Sequence, residues 1–119
     1  MILDTTLMSL KLTLTAAKTA NDMDVTVDFM DWDTKNEMTA PATQRTASNG
    51  VADVTILTAP NANPRREPVR VTVYNKDTAA KNVIIKTDDG TTQFIEIQSA
   101  LASLKSLIWE KNNGWYVTA

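Results

Sequence analysis

The chain has 119 residues, of which 43% are hydrophobic, and a formal net charge of -2. This length suits one compact domain. The small negative charge provides no basic surface that could neutralise the phosphate backbone of a nucleic acid. No apolar run reaches the ~20 residues of a membrane span. The absence of cysteine and histidine removes disulfides, thiolate chemistry and the commonest neutral-pH base and metal ligand. We therefore expect a protein that is not an enzyme, that binds no cofactor or metal, and that has neither nucleic acid nor a membrane as partner.

Two strands are predicted in the first part of the chain. Apolar and polar residues alternate from Leu10 to Leu14 and again from Val25 to Phe29, which is the pattern of half-buried strands. The segment Asp33 to Gly50 has almost no large apolar residue, so it predicts an extended linker. We expect residues 1–50 to form an N-terminal arm or hairpin followed by a polar linker, and residues 51–119 to form the core domain.

The second part is more regular. Val51 to Leu57 predicts a strand, and Thr58 to Pro68 predicts an exposed loop because three prolines within nine residues disfavour regular pairing. Asp89-Gly90 and Asn113-Gly114 are typical hairpin turns. The remaining predicted strands are Val69–Tyr74, Val83–Thr87, Phe94–Ile97, Leu107–Trp109 and Trp115–Val117. About eight strands predict an all-β fold, either a single β-sandwich or a jelly-roll-like barrel.

Arginine and tryptophan side chains are the first candidates for an interface. Arg65 and Arg66, with Arg70 nearby, belong to the proline-stiffened loop and its edge, and guanidinium groups there can pair with carboxylates of a neighbouring subunit. The alternative is an ordinary exposed polar loop. Trp32, with Met30, precedes the polar linker and can anchor the arm either to its own sandwich or to a neighbour.

The C-terminal aromatic residues suggest a second kind of site. Trp109, Trp115 and Tyr116 fall on two adjacent predicted strands, where exposed rings can stack on the apolar faces of sugars. Aromatic residues in strands also serve as core or cross-strand packing pairs. The sequence leaves both interpretations open.

The order of these elements resembles that of small structural proteins encoded by tailed bacteriophages. The resemblance rests on the strand ending in Ala59-Pro60, the paired arginines, the valine-rich strand that runs into Tyr74-Asn75-Lys76-Asp77-Thr78-Ala79, the hairpin at Asp89-Gly90 and the final Asn113-Gly114-Trp115-Tyr116. The N-terminal part, with Ala16-Ala17-Lys18-Thr19-Ala20-Asn21-Asp22, is similar as well. One departure is Ser99 to Ser106, where the pattern usually places a glycine-containing bend.

The resemblance implies a virion component that is made in the host cytoplasm. The first expectation is a capsid decoration or cement protein that contacts the major capsid protein or another virion protein, and copies of itself. An extended arm in such a protein can add a strand to a neighbour's sheet edge. The alternative is a tail-tip or fibre-associated module that binds host carbohydrate through Trp109, Trp115 and Tyr116.

Overall fold

Nine antiparallel β-strands form two sheets packed face to face in a computed structural model that describes residues 1–35, 37–60 and 65–118. The four-stranded sheet has the order β4-β1-β6-β7, and the five-stranded sheet has the order β3-β2-β5-β8-β9. This architecture confirms the predicted all-β sandwich. The strands are β1 Ser9–Leu14, β2 Asp24–Trp32, β3 Ala42–Ala47, β4 Val54–Leu57, β5 Arg65–Tyr74, β6 Lys81–Asp88, β7 Gln93–Leu101, β8 Ser106–Glu110 and β9 Gly114–Val117.

Alternating apolar side chains from both sheets form the core. In the four-stranded sheet Leu12 pairs with Ile85, and in the five-stranded sheet Val71 lies between Val27 on β2 and Trp109 on β8. Side chains on one face of a strand recur every second residue, so each of these strands buries one face and exposes the other. The two inner faces together enclose one hydrophobic cluster that also includes Leu10, Leu14, Val25, Ile56, Leu57, Val73, Val83, Leu101 and Leu107.

The segment expected to form an N-terminal arm lies inside the sandwich. β1 lies between β4 and β6, and β2 lies between β3 and β5, so residues 1–50 supply internal strands to both sheets and do not extend away from the core. The physical reason is visible in β1, whose three leucines are all buried. Burying them requires the opposite sheet, and an arm on its own has no surface to cover them.

The expected polar linker also contains a strand. β3, within Asp33 to Gly50, is an edge strand that pairs with β2 and is exposed along most of its length. Because an exposed edge strand buries little, the sequence Ala-Thr-Gln-Arg-Thr-Ala carries no apolar alternation that would predict it.

The proline-rich loop is shorter than expected. β5 begins at Arg65, and Glu67 and Pro68 are buried within it; Asn61 to Pro64 lie outside the described residues. Pairing passes from Asp28 opposite Arg70 to Phe29 opposite Pro68, which leaves Val69 as an extra residue. Such a bulge interrupts the hydrogen-bond ladder, so it accommodates a proline that has no N–H to donate.

The buried carboxylate of Asp77 stabilises the connection between β1 and β2. Asp77 accepts backbone hydrogen bonds from Thr19 at 2.8 Å, Ala20 at 2.7 Å, Asn21 at 3.2 Å and Thr78 at 2.8 Å. These N–H donors, Thr19 foremost, hold the pKa of Asp77 well below its usual range. The turn that follows β5 therefore organises a distant loop as well as its own.

Candidate interaction surface

Two segments that are distant in sequence meet on the outer face of the five-stranded sheet. Trp32 pairs with Arg65, and Met30 pairs with Glu67, at the end of the β2–β5 ladder. Phe29 packs against the core, so Met30 and Trp32, which follow it by one and three positions, point away from the core. We call Met30, Trp32, Arg65, Glu67 and Lys111 the outer-face cluster.

Charged groups on two sides order the indole of Trp32. The Arg65 guanidinium carbon lies 4.7 Å from the centroid of the ring, which is the geometry of a cation–π contact. The indole Nε1 donates to Glu67 Oε2 at 3.2 Å, and Lys111 Nζ contacts the other carboxylate oxygen at 2.5 Å. The hydrogen bond from Lys111 is the main cause that lowers the pKa of Glu67, against the opposing effect of burial. The cluster thus presents a half-buried aromatic ring in a fixed orientation, with cations around it.

Arg66 points to the opposite face from Arg65. Its guanidinium binds Asp31 through two hydrogen bonds, Nε to Oδ1 at 2.7 Å and Nη2 to Oδ2 at 3.0 Å. Nη1 donates to both the backbone oxygen and the hydroxyl of Thr58 at 2.9 Å, and the guanidinium carbon lies 4.4 Å from the centroid of the Phe29 ring. Since Thr58 follows β4 and Asp31 belongs to β2, Arg66 links the two sheets at one end of the sandwich. Its contacts are structural, so it differs in role from its neighbour.

Arg70 lies farther along the outer face. Its Nη2 is 3.7 Å from Glu110 Oε1, and the same oxygen accepts a hydrogen bond from the Tyr116 hydroxyl at 2.6 Å. That hydrogen bond is the largest cause that lowers the pKa of Glu110 and raises the pKa of Tyr116. Beside these groups is a shallow depression of about 380 Å³ lined by Val69, Arg70, Glu110, Lys111, Asn112 and Asn113.

The three C-terminal aromatic rings do not form one platform. Trp109 and Trp115 pair directly across β8 and β9, with ring centroids 6.4 Å apart, and both pack in or against the core. Tyr116 follows Trp115 in the strand and faces the opposite side, next to Ile108. The packing interpretation therefore describes both tryptophans, and only the tyrosine ring is exposed on the outer face.

Sequence reasoning did not find Glu67 and Lys111. Glu67 fell in a predicted loop, and no local pattern marks Lys111, which reaches the cluster only because β8 pairs with β5. Among residues 1–35, 37–60 and 65–118, no group of three or more potential metal ligands converges. Within the same ranges no helix is long and apolar enough to cross a membrane.

Comparisons with known proteins assign no family, because no protein-family model, no curated protein and no solved structure matches this chain.

Proposed function

We propose that this chain is a non-enzymatic structural protein of a virion, a capsid decoration or cement protein of a tailed bacteriophage. It binds the major capsid protein or another virion protein, and copies of itself, after synthesis in the host cytoplasm. The sequence resemblance supports the class of protein. The outer-face cluster supports protein–protein contact as the mode of action.

The observation that carries the proposal is the meeting of Met30, Trp32 and Arg65 on one half-exposed surface. Tryptophan and arginine are the residues most enriched among those that dominate binding energy at interfaces. The ring of Trp32 is held by Arg65 and Glu67 before any partner arrives, so little side-chain entropy is lost on docking.

Charge around the ring defines the chemistry of the partner. Arg65 and Lys111 belong to the cluster, and Arg70 lies farther along the same face. The complementary surface is therefore an apolar pocket rimmed by carboxylates. Decoration of a shell repeats such a contact many times. Modest individual contacts then give stable attachment if each subunit engages more than one neighbour.

Attachment to particles that lack the protein tests the proposal. The double variant Arg65→Ala with Arg70→Ala should bind at reduced occupancy in a co-sedimentation assay, whereas Arg45→Ala should bind like the wild type. Arg45 is a matched control because it is an exposed arginine on the same sheet, in β3. Equal occupancy for all three proteins would remove this surface from the interface.

Position on the particle tests the class of protein independently. Gold-labelled antibody should decorate the head of intact particles. Label confined to the tail would contradict a decoration role and would favour the carbohydrate-binding alternative. The inward orientation of Trp109 and Trp115 does not support that alternative.

A further inference from the structure

We propose that β7 is a self-association edge, through which two copies of this chain pair their four-stranded sheets in antiparallel orientation. The inference deepens the proposed function, since contacts among copies are part of it. It concerns the opposite sheet from the outer-face cluster. The two surfaces can therefore be tested separately.

The four edge strands of the described sandwich differ in how well they resist pairing. β4 and β9 have four residues each, and β3 is polar, carries Arg45 and follows Pro41. β7 has nine residues and contains no lysine, arginine or proline. Short length, positive charge and proline are the features that normally keep an edge from pairing with another chain. A bulge opposite Ile85 and Lys86 interrupts the β6–β7 ladder, but Ile97 to Leu101 pair with regular register.

β7 also carries two of the five most exposed large apolar side chains among the described residues. Phe94 is 60% exposed and Ile95 is 63% exposed, although both are in a paired strand. Leu7 is exposed as well, and it lies against Gly90 in the adjacent β6–β7 hairpin. Phe94 and Ile95 are adjacent, so their side chains lie on opposite faces of the sheet. A second strand laid along β7 would place side chains beside both of them while its backbone hydrogen-bonds the unpaired side of the strand.

The distribution of charge identifies the occupant as a second copy and sets its direction. At the hairpin end of β7, Asp89 has no cationic partner among the described side chains; at the other end, Lys81 and Lys105 have no acidic one. Antiparallel pairing of two identical strands brings the acidic end of each copy to the basic end of the other. Parallel pairing would place like charges together.

Sedimentation velocity of the full chain over a concentration series tests the association without any particle. The wild type should show a concentration-dependent dimer. Ile95→Lys should raise the dissociation constant of that dimer about tenfold or more, since a lysine on an exposed edge strand disfavours its pairing with another strand. Val51→Lys is the matched control because Val51 is 65% exposed in the connection between β3 and β4, away from β7. Circular dichroism of both variants checks that the sandwich persists.

Single cysteines test the direction of pairing in a chain that has none of its own. In an antiparallel dimer centred on Ile97, the middle residue of β7, the two copies of Gln98 are offset along the strands by ~7 Å at ~3.3 Å per residue. The two copies of Gln93, at the start of the strand, are offset by ~26 Å at the same rise per residue. A short bismaleimide should therefore cross-link Gln98→Cys into dimers and leave Gln93→Cys monomeric.

Each outcome decides. Self-association through β7 would be overturned if the wild type stayed monomeric at every concentration, or if Ile95→Lys and Val51→Lys changed the dissociation constant equally. It would also be overturned if β7 paired only with an extended segment of another protein. Equal cross-linking at both cysteines would overturn the antiparallel orientation. Particle attachment by way of Arg65 and Arg70 is measured separately, so failure of the dimer and failure of the decoration role are distinguishable.

Discussion

The ion pair between Arg66 and Asp31 should contribute more to stability than any exposed ion pair in the part of the chain that the structure describes. The two side chains are only 12% and 21% exposed, and they share two hydrogen bonds. Truncating one member of a well-buried pair costs ~3–5 kcal/mol. Because water retains some access to both groups, we expect Arg66→Ala to lower the free energy of unfolding by ~2–4 kcal/mol.

A double-mutant cycle isolates the pair from the other contacts of Arg66. Denaturant unfolding of Arg66→Ala, Asp31→Ala and the double variant should give a coupling free energy of ~1.5–3 kcal/mol. Thr58 and Phe29 contact the guanidinium in both backgrounds of Asp31, so their contributions cancel in the cycle. Arg66→Lys should recover only a minor part of the loss, since an ammonium cannot reproduce the two-pronged geometry.

Lys76 and Asp24 provide the matched control cycle. Their atoms are 2.9 Å apart, a distance similar to that in the Arg66 pair, but the side chains are 45% and 57% exposed. Exposed pairs of this kind couple by less than ~1 kcal/mol. If the two cycles gave equal coupling, or if the Arg66 cycle gave less than ~0.5 kcal/mol, the argument from burial would be refuted.

Further predictions concern acid stability and the core. Hydrogen bonds from Gln93 and Gly90, with the Lys11 ion pair, lower the pKa of Asp88 from 3.8 to about 2. The stabilising contribution of this carboxylate is therefore complete above its pKa in the unfolded chain and is lost as the pH falls from about 4 toward 2. Thermal unfolding at a series of pH values will detect this loss. Asp77→Asn should lower the melting temperature at neutral pH and weaken the acid dependence of stability, because an amide nitrogen replaces one acceptor of its backbone N–H bonds. The exposed Asp4→Asn is the control for the melting temperature and should leave it unchanged. An unaltered acid profile in Asp77→Asn would contradict the role of that carboxylate. Trp109→Ala should cost ~3–5 kcal/mol in denaturant unfolding, because it empties a core position, and a cost below ~1 kcal/mol would contradict its inward placement.

The alternating apolar patterns predicted most of the fold. Leu10 to Leu14, Val25 to Phe29 and Val83 to Thr87 each lie within an observed strand, because these strands bury one complete face in the core. Both glycine-containing turns join paired strands as expected, with φ of 91° at Gly90 and 76° at Gly114. β3 could not be predicted in this way, since its stability comes from pairing with β2 and not from burial of its own side chains.

The candidate interface was only partly predictable, because the bulge at Val69 decides which arginine faces the core. Counting by twos back from the buried Val73 and Val71 places Glu67 and Arg65 inside and Arg66 outside. The extra residue reverses this order, and a one-residue shift moves every following side chain to the opposite face. Arg66 therefore turns inward to Asp31, while Arg65 turns outward to Trp32. Two adjacent arginines that are equivalent in the sequence acquire different roles, one in joining the sheets and one in the proposed contact with a partner.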